Sequence, residues 1–210
     1  MGIEIERKFL ISEGEAKNKF FNFLNEIKNE YNKVDNLGCQ INRNGEAKPL
    51  LINKIKQGYI SNDIDGTVVR VRTKLCENGL TSSYLTIKTK NIGITRREFE
   101  YEIPYQDGIE MLNTIVSQKS SVIEKTRYVY EFTIPLNKND FRDKEQYKTY
   151  IWEIDVFHGN NDGLIIAEIE LNDENEEIIE FPDFIILDNE VSDDSRYYNS
   201  NLIKNPFCKW

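Results

Sequence analysis

The sequence predicts an α+β fold: antiparallel strands closed into a tunnel with a charged interior, and helices covering the outside. Three observations carry this expectation. Strand after strand alternates, and because side chains two apart share a face, one face of each is charged and the other apolar. Two long amphipathic helices and a C-terminal one need an apolar surface to cover, and the apolar strand faces supply it. Acidic pairs lie near both ends of the chain and basic pairs in the middle strands. Charged faces turned toward one another therefore meet with opposite signs, which offsets the cost of enclosing charge.

The first strand sets the pattern, with Glu4, Glu6 and Lys8 on one face and Ile3, Ile5 and Phe9 on the other. Taken alone it is an ordinary amphipathic strand with a solvated charged face. Ser12-Glu13-Gly14-Glu15 has the form of a capping box, and Phe20, Phe21, Phe23, Leu24 and Ile27 follow at helical spacing, which predicts a helix near 13–29. Residues 31–50 are polar and rich in Asn and Gly, and read as a long loop or an inserted hairpin. Strands are expected at 51–60, 66–74, 82–90 and 95–103, separated by Asn62-Asp63, Glu77-Asn78-Gly79 and Asn91-Ile92-Gly93. Asp107, with Glu110 three residues on, opens a second helix striped by Ile109, Met111, Leu112, Ile115 and Val116 and running to about 119. A strand at 122–134, a charged connection at 137–149, and strands at 150–157 and 164–171 joined as a hairpin complete the sheet. A final helix is expected near 193–203.

The chain of 210 residues suits one domain spanning 1–210, with 31–50 and 137–149 as insertions. No apolar run reaches membrane-spanning length and the N-terminus lacks a signal-peptide core, so a cytoplasmic location and no membrane partner are expected. Cys39, Cys76 and Cys208 are odd in number and widely spaced, which fits free thiols in a reducing compartment. The net charge is −9, and ten acidic residues with no Lys or Arg fall between Asp173 and Asp194; outside that stretch 27 basic residues face 26 acidic ones. No broad basic surface remains, which argues against a nucleic-acid partner, and any polyanion bound must be small and enclosed.

The charged faces are Arg70 and Arg72; Thr86, Lys88 and Lys90; Arg96, Glu98, Glu100 and Glu102; Lys125 and Arg127; Glu153 and Asp155; Glu168 and Glu170. The opposite faces carry Val69 and Val71; Leu85 and Ile87; Phe99, Tyr101 and Ile103; Trp152, Ile154 and Val156; Ala167, Ile169 and Leu171. Any one of these pairs is more often a solvated strand than a ligand clamp. Together, segregated acids and bases suit a hard divalent cation on one side and phosphates on the other.

Glu4-Ile5-Glu6-Arg7-Lys8 resembles the Glu-x-Glu-x-Lys signature of the CYTH-domain, or triphosphate tunnel metalloenzyme, family. Gln57-Gly58-Tyr59, Val69-Arg70-Val71-Arg72, Leu85-Thr86-Ile87-Lys88, Arg96 to Pro104, Lys125-Thr126-Arg127-Tyr128, Trp152 to Phe157 and Ala167 to Leu171 are similar to that family's later motifs in the same order. The resemblance implies an eight-stranded antiparallel tunnel that binds a triphosphate with Mg2+ or Mn2+. It implies Glu4, Glu6, Glu168, Glu170 and Asp155 as metal-side carboxylates, and Lys8, Arg70, Arg72, Lys88 and Arg127, with Lys90, Arg96 and Lys125, as phosphate-binding cations. Glu98 and Glu100 fit a second metal or a positioned water, and Lys204 is matched to the family's C-terminal lysine.

The activity implied is metal-dependent hydrolysis of inorganic tripolyphosphate to pyrophosphate and orthophosphate. Its rivals are thiamine or nucleoside triphosphate hydrolysis, an adenylate cyclase of class IV type, and a non-catalytic polyphosphate binder. The Gln57-Gly58-Tyr59 form resembles the bacterial tripolyphosphatase branch more than the cyclase branch. Crowding by Arg70, Arg72 and Lys88 predicts a lowered pKa at Lys8, fitting it as a proton shuttle. The lone histidine, His158, reads as structural or exposed. The sequence leaves the oligomeric state open, a homodimer included.

Overall fold

The computed structural model describes residues 2–31, 33–34, 40–41, 50–64, 66–90, 92–116, 122–136 and 147–210. Its strands are β1 (Gly2–Leu10), β2 (Lys33–Val34), β3 (Gln40–Ile41), β4 (Leu50–Ile64), β5 (Thr67–Cys76), β6 (Thr81–Lys88), β7 (Thr95–Ile103), β8 (Ile123–Pro135), β9 (Tyr147–Phe157) and β10 (Ile165–Glu170). Its helices are α1 (Gly14–Glu30), α2 (Tyr105–Met111) and α3 (Asn199–Leu202). Eight strands close into an antiparallel barrel in the order β1-β10-β9-β8-β4-β5-β6-β7, while β2 and β3 pair only with each other. That small pair is the hairpin option for part of 31–50; residues 32, 35–39 (Cys39 among them), 42–49 and 137–146 lie outside the described residues.

The apolar strand faces point outward, as the alternation predicts. On one side Phe9, Trp152, Ile154, Ala167 and Ile169 pack under Ala16 and Phe20 of α1 and under Phe184 and Ile185 of the acidic segment. On the other, Val71 packs with Leu112 and Val116 of a π-turn (Leu112–Val116) that continues α2, and Leu85 and Met111 join them. Burying each such side chain is worth about 1.5–3 kcal/mol, so the helices hold the barrel closed from outside. Gly58 of β4 is where this cover comes closest, since a Cβ there would stand 2.2 Å from Val116 Cγ1. Gly58→Ala is expected to lower the Tm by about 2–10 °C. A companion Val116→Ala should restore part of that loss, and thermal denaturation of both variants measures it.

Three local expectations are corrected. The Ser12 hydroxyl makes no capping box; it accepts from Ile165 N at 2.8 Å and lies 3.3 Å from Ile165 O, serving the first residue of β10 instead. The second helix begins at Tyr105 rather than Asp107, because Pro104, with φ −52°, turns the chain directly into the first turn. The C-terminal helix is broken into a 3-10 turn (Ser195–Tyr197), capped by Asp194, and the short α3.

Inside, the lining changes character along the barrel axis. Leu10, Ile123, Phe157 and Ile166 share the inward parity of Lys8, Lys125, Asp155 and Glu168, and they pack with Tyr197, Leu202 and Phe207 of the C-terminal segment. An apolar plug thus closes one end of the tunnel below the charged stretch. No helix among the described residues is long and apolar enough to cross a membrane. Cys76 and Cys208 are free thiols.

Candidate active site

The register sets the site. β1 places Glu4 opposite Arg96, Glu6 opposite Glu170 and Lys8 opposite Glu168. β5, β6 and β7 place Arg70, Thr86 and Glu100 side by side, and Lys88 beside Glu98; β8 and β9 place Arg127 beside Asp155. The enclosed cavity has a volume of about 210 Å³ and is lined by seven carboxylates and six cations, together with Tyr59, Val68, Tyr198, Asn199 and Ser200. Every metal-side residue expected from the sequence except Asp155 lines it, as do Glu98, Glu100 and all the expected phosphate cations except Lys90 and Lys125.

The exceptions have physical reasons. Lys90 lies two residues beyond the end of β6 and is exposed, outside the cavity lining, with its stem against Gly66. Lys125 (1 % exposed) and Asp155 (0 %) sit one layer deeper, toward the plug, where Lys125 Nζ donates to Asp155 Oδ2 at 2.5 Å. Asp155 also accepts two bonds from Arg127, each 2.6 Å, and so is placed as the counter-ion of two buried cations rather than as a cavity ligand. Lys204 is exposed and lines no part of the cavity, and the C-terminal segment contributes Tyr198, Asn199 and Ser200 in its place. His158 is exposed and shares a hydrogen bond with Thr126, as expected.

The charges are interlocked. Lys8 Nζ donates to Glu6 Oε2 at 2.6 Å and to Glu168 Oε1 at 2.5 Å. Lys88 donates to both oxygens of Glu4 and pairs with Glu98 at 2.8 Å, and Arg96 Nε donates to Glu4 Oε2 at 2.6 Å. Arg127 Nη2 reaches Glu168 at 2.7 Å and its Nη1 binds Glu153. Arg70 donates to Thr86 and to Glu100. Arg72 differs in that, among the described residues, no carboxylate pairs with it; its buried Nε, like that of Arg70, has no hydrogen-bond partner there.

These contacts decide the protonation states. Burial pushes the Lys8 ammonium down, but Glu168 and Glu6 outweigh it and hold the pKa above the ordinary lysine value. This reverses the lowered pKa expected at Lys8, because carboxylates, not the basic cluster, are its immediate neighbours. Burial opposes ionisation of Glu4, yet Lys88 and Arg96 hold it well below the usual carboxylate range. Burial brings the Arg70 guanidinium down to about 10, with Arg72 adding repulsion. Burial also brings Lys125 down to about 8, with Arg127 contributing, against an ordinary 10.5.

Lys125 therefore loses its charge as pH rises through about 8, while the unfolded chain keeps that proton to about 10.5. The folded state then binds fewer protons, so this group makes stability rise with pH across that window. Deprotonation also leaves Asp155 to Arg127 alone, drawing that guanidinium away from the cavity. The ratio of wild-type kcat/KM to that of Lys125→Arg is accordingly expected to fall several-fold between pH 7 and 9.5, read from pH-rate profiles of the two proteins.

A divalent cation fits this donor set. Glu4, Glu6, Glu168 and Glu170 offer hard oxygens to one cavity. Burial, and then Glu168 and Glu4, raise the pKa of Glu6, while burial, Glu4, Glu98 and Glu153 raise that of Glu170. A cation beside them would favour the ionised form of both, against burial and the neighbouring carboxylates. Among the described residues no three acidic, His or Cys side chains are gathered as a ready-made metal site, because the carboxylates are turned onto their cationic neighbours.

Tyr59, part of the Gln57-Gly58-Tyr59 motif but not among the expected lining residues, is placed in the cavity because β4 inverts the rule of the other strands. Lys54 and Lys56 are exposed, and the face between them is buried and neutral, with Asn53, Gln57 and Tyr59. The pairing of Tyr59 with Arg70 and of Gln57 with Arg72 is the signal that places that face inward.

No protein-family model matches the sequence. The chain is 38% identical over 207 residues to an inorganic triphosphatase of Acetivibrio thermocellus, covering 99% of this chain and 97% of that protein. Among solved structures, that of the inorganic triphosphatase NE1496 is 25% identical over 95% of this chain and 97% of its own, with a TM-score of 0.48. A putative adenylyl cyclase from Hippeastrum is 14% identical over 82% of this chain and 80% of its own, with a TM-score of 0.42. With full-length identity at that level to the Acetivibrio protein, and with a closed eight-stranded barrel whose charged interior carries the Glu4-x-Glu6-x-Lys8 strand, the chain belongs to the CYTH-domain, or triphosphate tunnel metalloenzyme, family of inorganic triphosphatases.

Proposed function

We propose that the protein is a metal-dependent inorganic triphosphatase that hydrolyses tripolyphosphate to pyrophosphate and orthophosphate. The observation that carries this reading is Arg72, a cavity guanidinium without a counter-ion among the described residues, in a cavity whose other cations are paired. A bound polyanion supplies what Arg72 lacks, and the fork of a guanidinium matches phosphate oxygens. Among the described residues Val68 is the one aliphatic side chain in the lining, which apart from it and the rings of Tyr59 and Tyr198 is polar or charged. The inorganic chain, which needs only charge recognition, is the substrate favoured, and the name of the Acetivibrio relative agrees with it.

Glu4, Glu6, Glu168 and Glu170 would hold the Mg2+ or Mn2+, with Lys8, Arg70, Arg72, Lys88, Arg96 and Arg127 around the phosphates. The cation would supply neutralising charge to the phosphate chain, and carboxylates engaged with it would free the lysines and arginines they now occupy for phosphate oxygens. Glu98 and Glu100 face the same space and fit the positioning of a water. That water's oxygen bonds to a terminal phosphorus as the bond from phosphorus to the bridging oxygen breaks, pyrophosphate leaves with the electron pair, and the water's proton passes to the Glu98 or Glu100 carboxylate and on to solvent. Lys8, protonated between Glu6 and Glu168 in this structure, would turn its ammonium to the phosphate oxygens and supply charge there.

Phosphate release from tripolyphosphate, ATP and thiamine triphosphate, each with Mg2+, Mn2+ or EDTA, tests the proposal. Expected is turnover of tripolyphosphate with metal, at least tenfold above the others in kcat/KM and abolished by EDTA. Preference for ATP or thiamine triphosphate would replace the substrate, and tight metal-dependent binding without turnover would make the protein a receptor.

A further inference from the structure

Arg7 is the charge of the Glu4-to-Lys8 strand that points away from the cavity, yet it is tied back to Lys8 by a different route. In β1 the odd-numbered residues bond β10 through their backbones, as in Leu171 N to Ile5 O and Ile11 N to Ile165 O. The even-numbered ones, whose side chains line the cavity, direct their backbone groups to the other edge. There β7 reaches only as far as Thr95, opposite Ile5. Beyond it Lys8 has no strand neighbour on that side, and a strap at residues 189–192 takes the place of one. Val191 N donates to Lys8 O at 2.8 Å, and Lys8 N donates not to a carbonyl but to the Ser192 hydroxyl at 2.9 Å.

The hydroxyl is itself held. Ser192 Oγ donates to Glu190 Oε1 at 2.6 Å, and Arg7 grips Glu190 with Nε at 2.9 Å and Nη2 at 2.6 Å. From the same strap the chain runs on to the cavity-lining Tyr198, whose hydroxyl donates to Ser192 O at 3.2 Å. A side chain that must both accept from Lys8 and donate to Glu190 can do so in one orientation, which fixes the backbone of the residue that carries the ammonium.

We propose that Arg7, Glu190 and Ser192 form a clamp on the outer wall that positions Lys8 and keeps it in register with the Tyr198–Ser200 wall of the cavity. These are positioning residues for the reaction proposed above, and their effect on rate rests on that reading. The clamp works on geometry: Ser192 touches the Lys8 amide and not the cavity, so its loss displaces the ammonium without removing a charge.

Two measurements test this on Ser192→Ala and Ser192→Thr. Hydrogen–deuterium exchange, which needs no substrate, should show faster exchange in Ser192→Ala for peptides spanning residues 6–10 and 196–202. A peptide from residues 124–132 should be unchanged, and Ser192→Thr should be close to wild type. Tripolyphosphate hydrolysis should show kcat lowered about tenfold in Ser192→Ala with KM within about twofold, restored by Ser192→Thr. Unchanged exchange at 6–10 overturns the clamp, as does faster exchange there with kcat intact. General acceleration that includes 124–132 marks mere destabilisation and also overturns it. A wild type that turns over no tripolyphosphate overturns the functional reading instead, and the exchange result then decides the clamp by itself.

Discussion

Arg72→Ala is expected to lower kcat/KM for tripolyphosphate by about 100- to 1,000-fold, the loss found when one preorganised donor to developing charge is removed, while Tm stays within about 2 °C of wild type. The two halves of this expectation have one cause. Other cavity cations serve two functions, balancing a carboxylate and facing the substrate, so removing them orphans a buried charge. Arg72 balances nothing among the described residues, and its charge disfavours the protonated forms of Arg70 and Lys125. Removing it relieves repulsion in the empty site and leaves no carboxylate stranded. Arg72→Lys should fall between, since the charge is kept and the fork lost. Phosphate-release kinetics beside thermal denaturation read both quantities. A fall of several degrees in Tm, or activity within about threefold of wild type, would show that Arg72 serves the fold and not the substrate.

The barrel was legible because seven strands repeat one alternation, and because the helical stripes needed an outer surface to cover. Phe20 of α1 against Tyr128 of β8, in the cluster that holds Trp152 and Ala167, and Val116 with Val71 are those stripes finding it. The candidate lining was legible for the same reason: Glu4, Glu6, Lys8, Arg70, Arg72, Lys88, Glu98, Arg127 and Glu168 share a parity, and closure of the sheet turns shared parity into shared space. Depth along the axis was not legible. Alternation says which face a residue takes, while only register says how far along the tunnel it lies. Lys90 and Lys125 have the same parity as the lining, yet one lies beyond the end of its strand and the other in the layer below the cavity. The plug was hidden for a related reason. Leu10, Ile123, Phe157 and Ile166 break the charged pattern only where strands end, a place at which an apolar residue reads as a boundary and not as a lid.

Protonation was beyond the reach of composition as well. Counting basic residues near Lys8 in the sequence gives repulsion, but the closed sheet sets Glu168 across from it, and the nearest charges then decide the sign. The strap that holds its backbone comes from more than 180 residues away in the chain, at Ser192. No spacing rule connects the two. What joins them is the early end of β7, which leaves one edge of β1 with unsatisfied backbone groups.

Asp155→Ala carries the largest expected effect on stability. Asp155 is fully buried between Lys125 and Arg127, and breaking a buried ion pair by removing one partner costs about 3–5 kcal/mol, since the other charge remains unpaired. In a chain of this size that corresponds to a Tm lowered by about 6–20 °C. Two buried cations would be left, and Glu168 would become the remaining buried anion for Arg127 to pair with. Activity should fall too, because Arg127 would be pulled toward Glu168 and Glu168 away from Lys8. The concentration of Mg2+ or Mn2+ giving half-maximal activity separates this role from a ligand's. A counter-ion one layer below the cavity predicts a half-saturation within about twofold of wild type in whatever fraction of Asp155→Asn stays folded, whereas a direct ligand predicts a rise of tenfold or more. Glu170→Gln supplies the contrast: its carboxylate lines the cavity, is exposed, and has no cation holding it in an ion pair among the described residues. Its loss should leave Tm nearly unchanged and raise the metal requirement, so the two variants together divide the carboxylates into those that hold the barrel and those free to hold a cation.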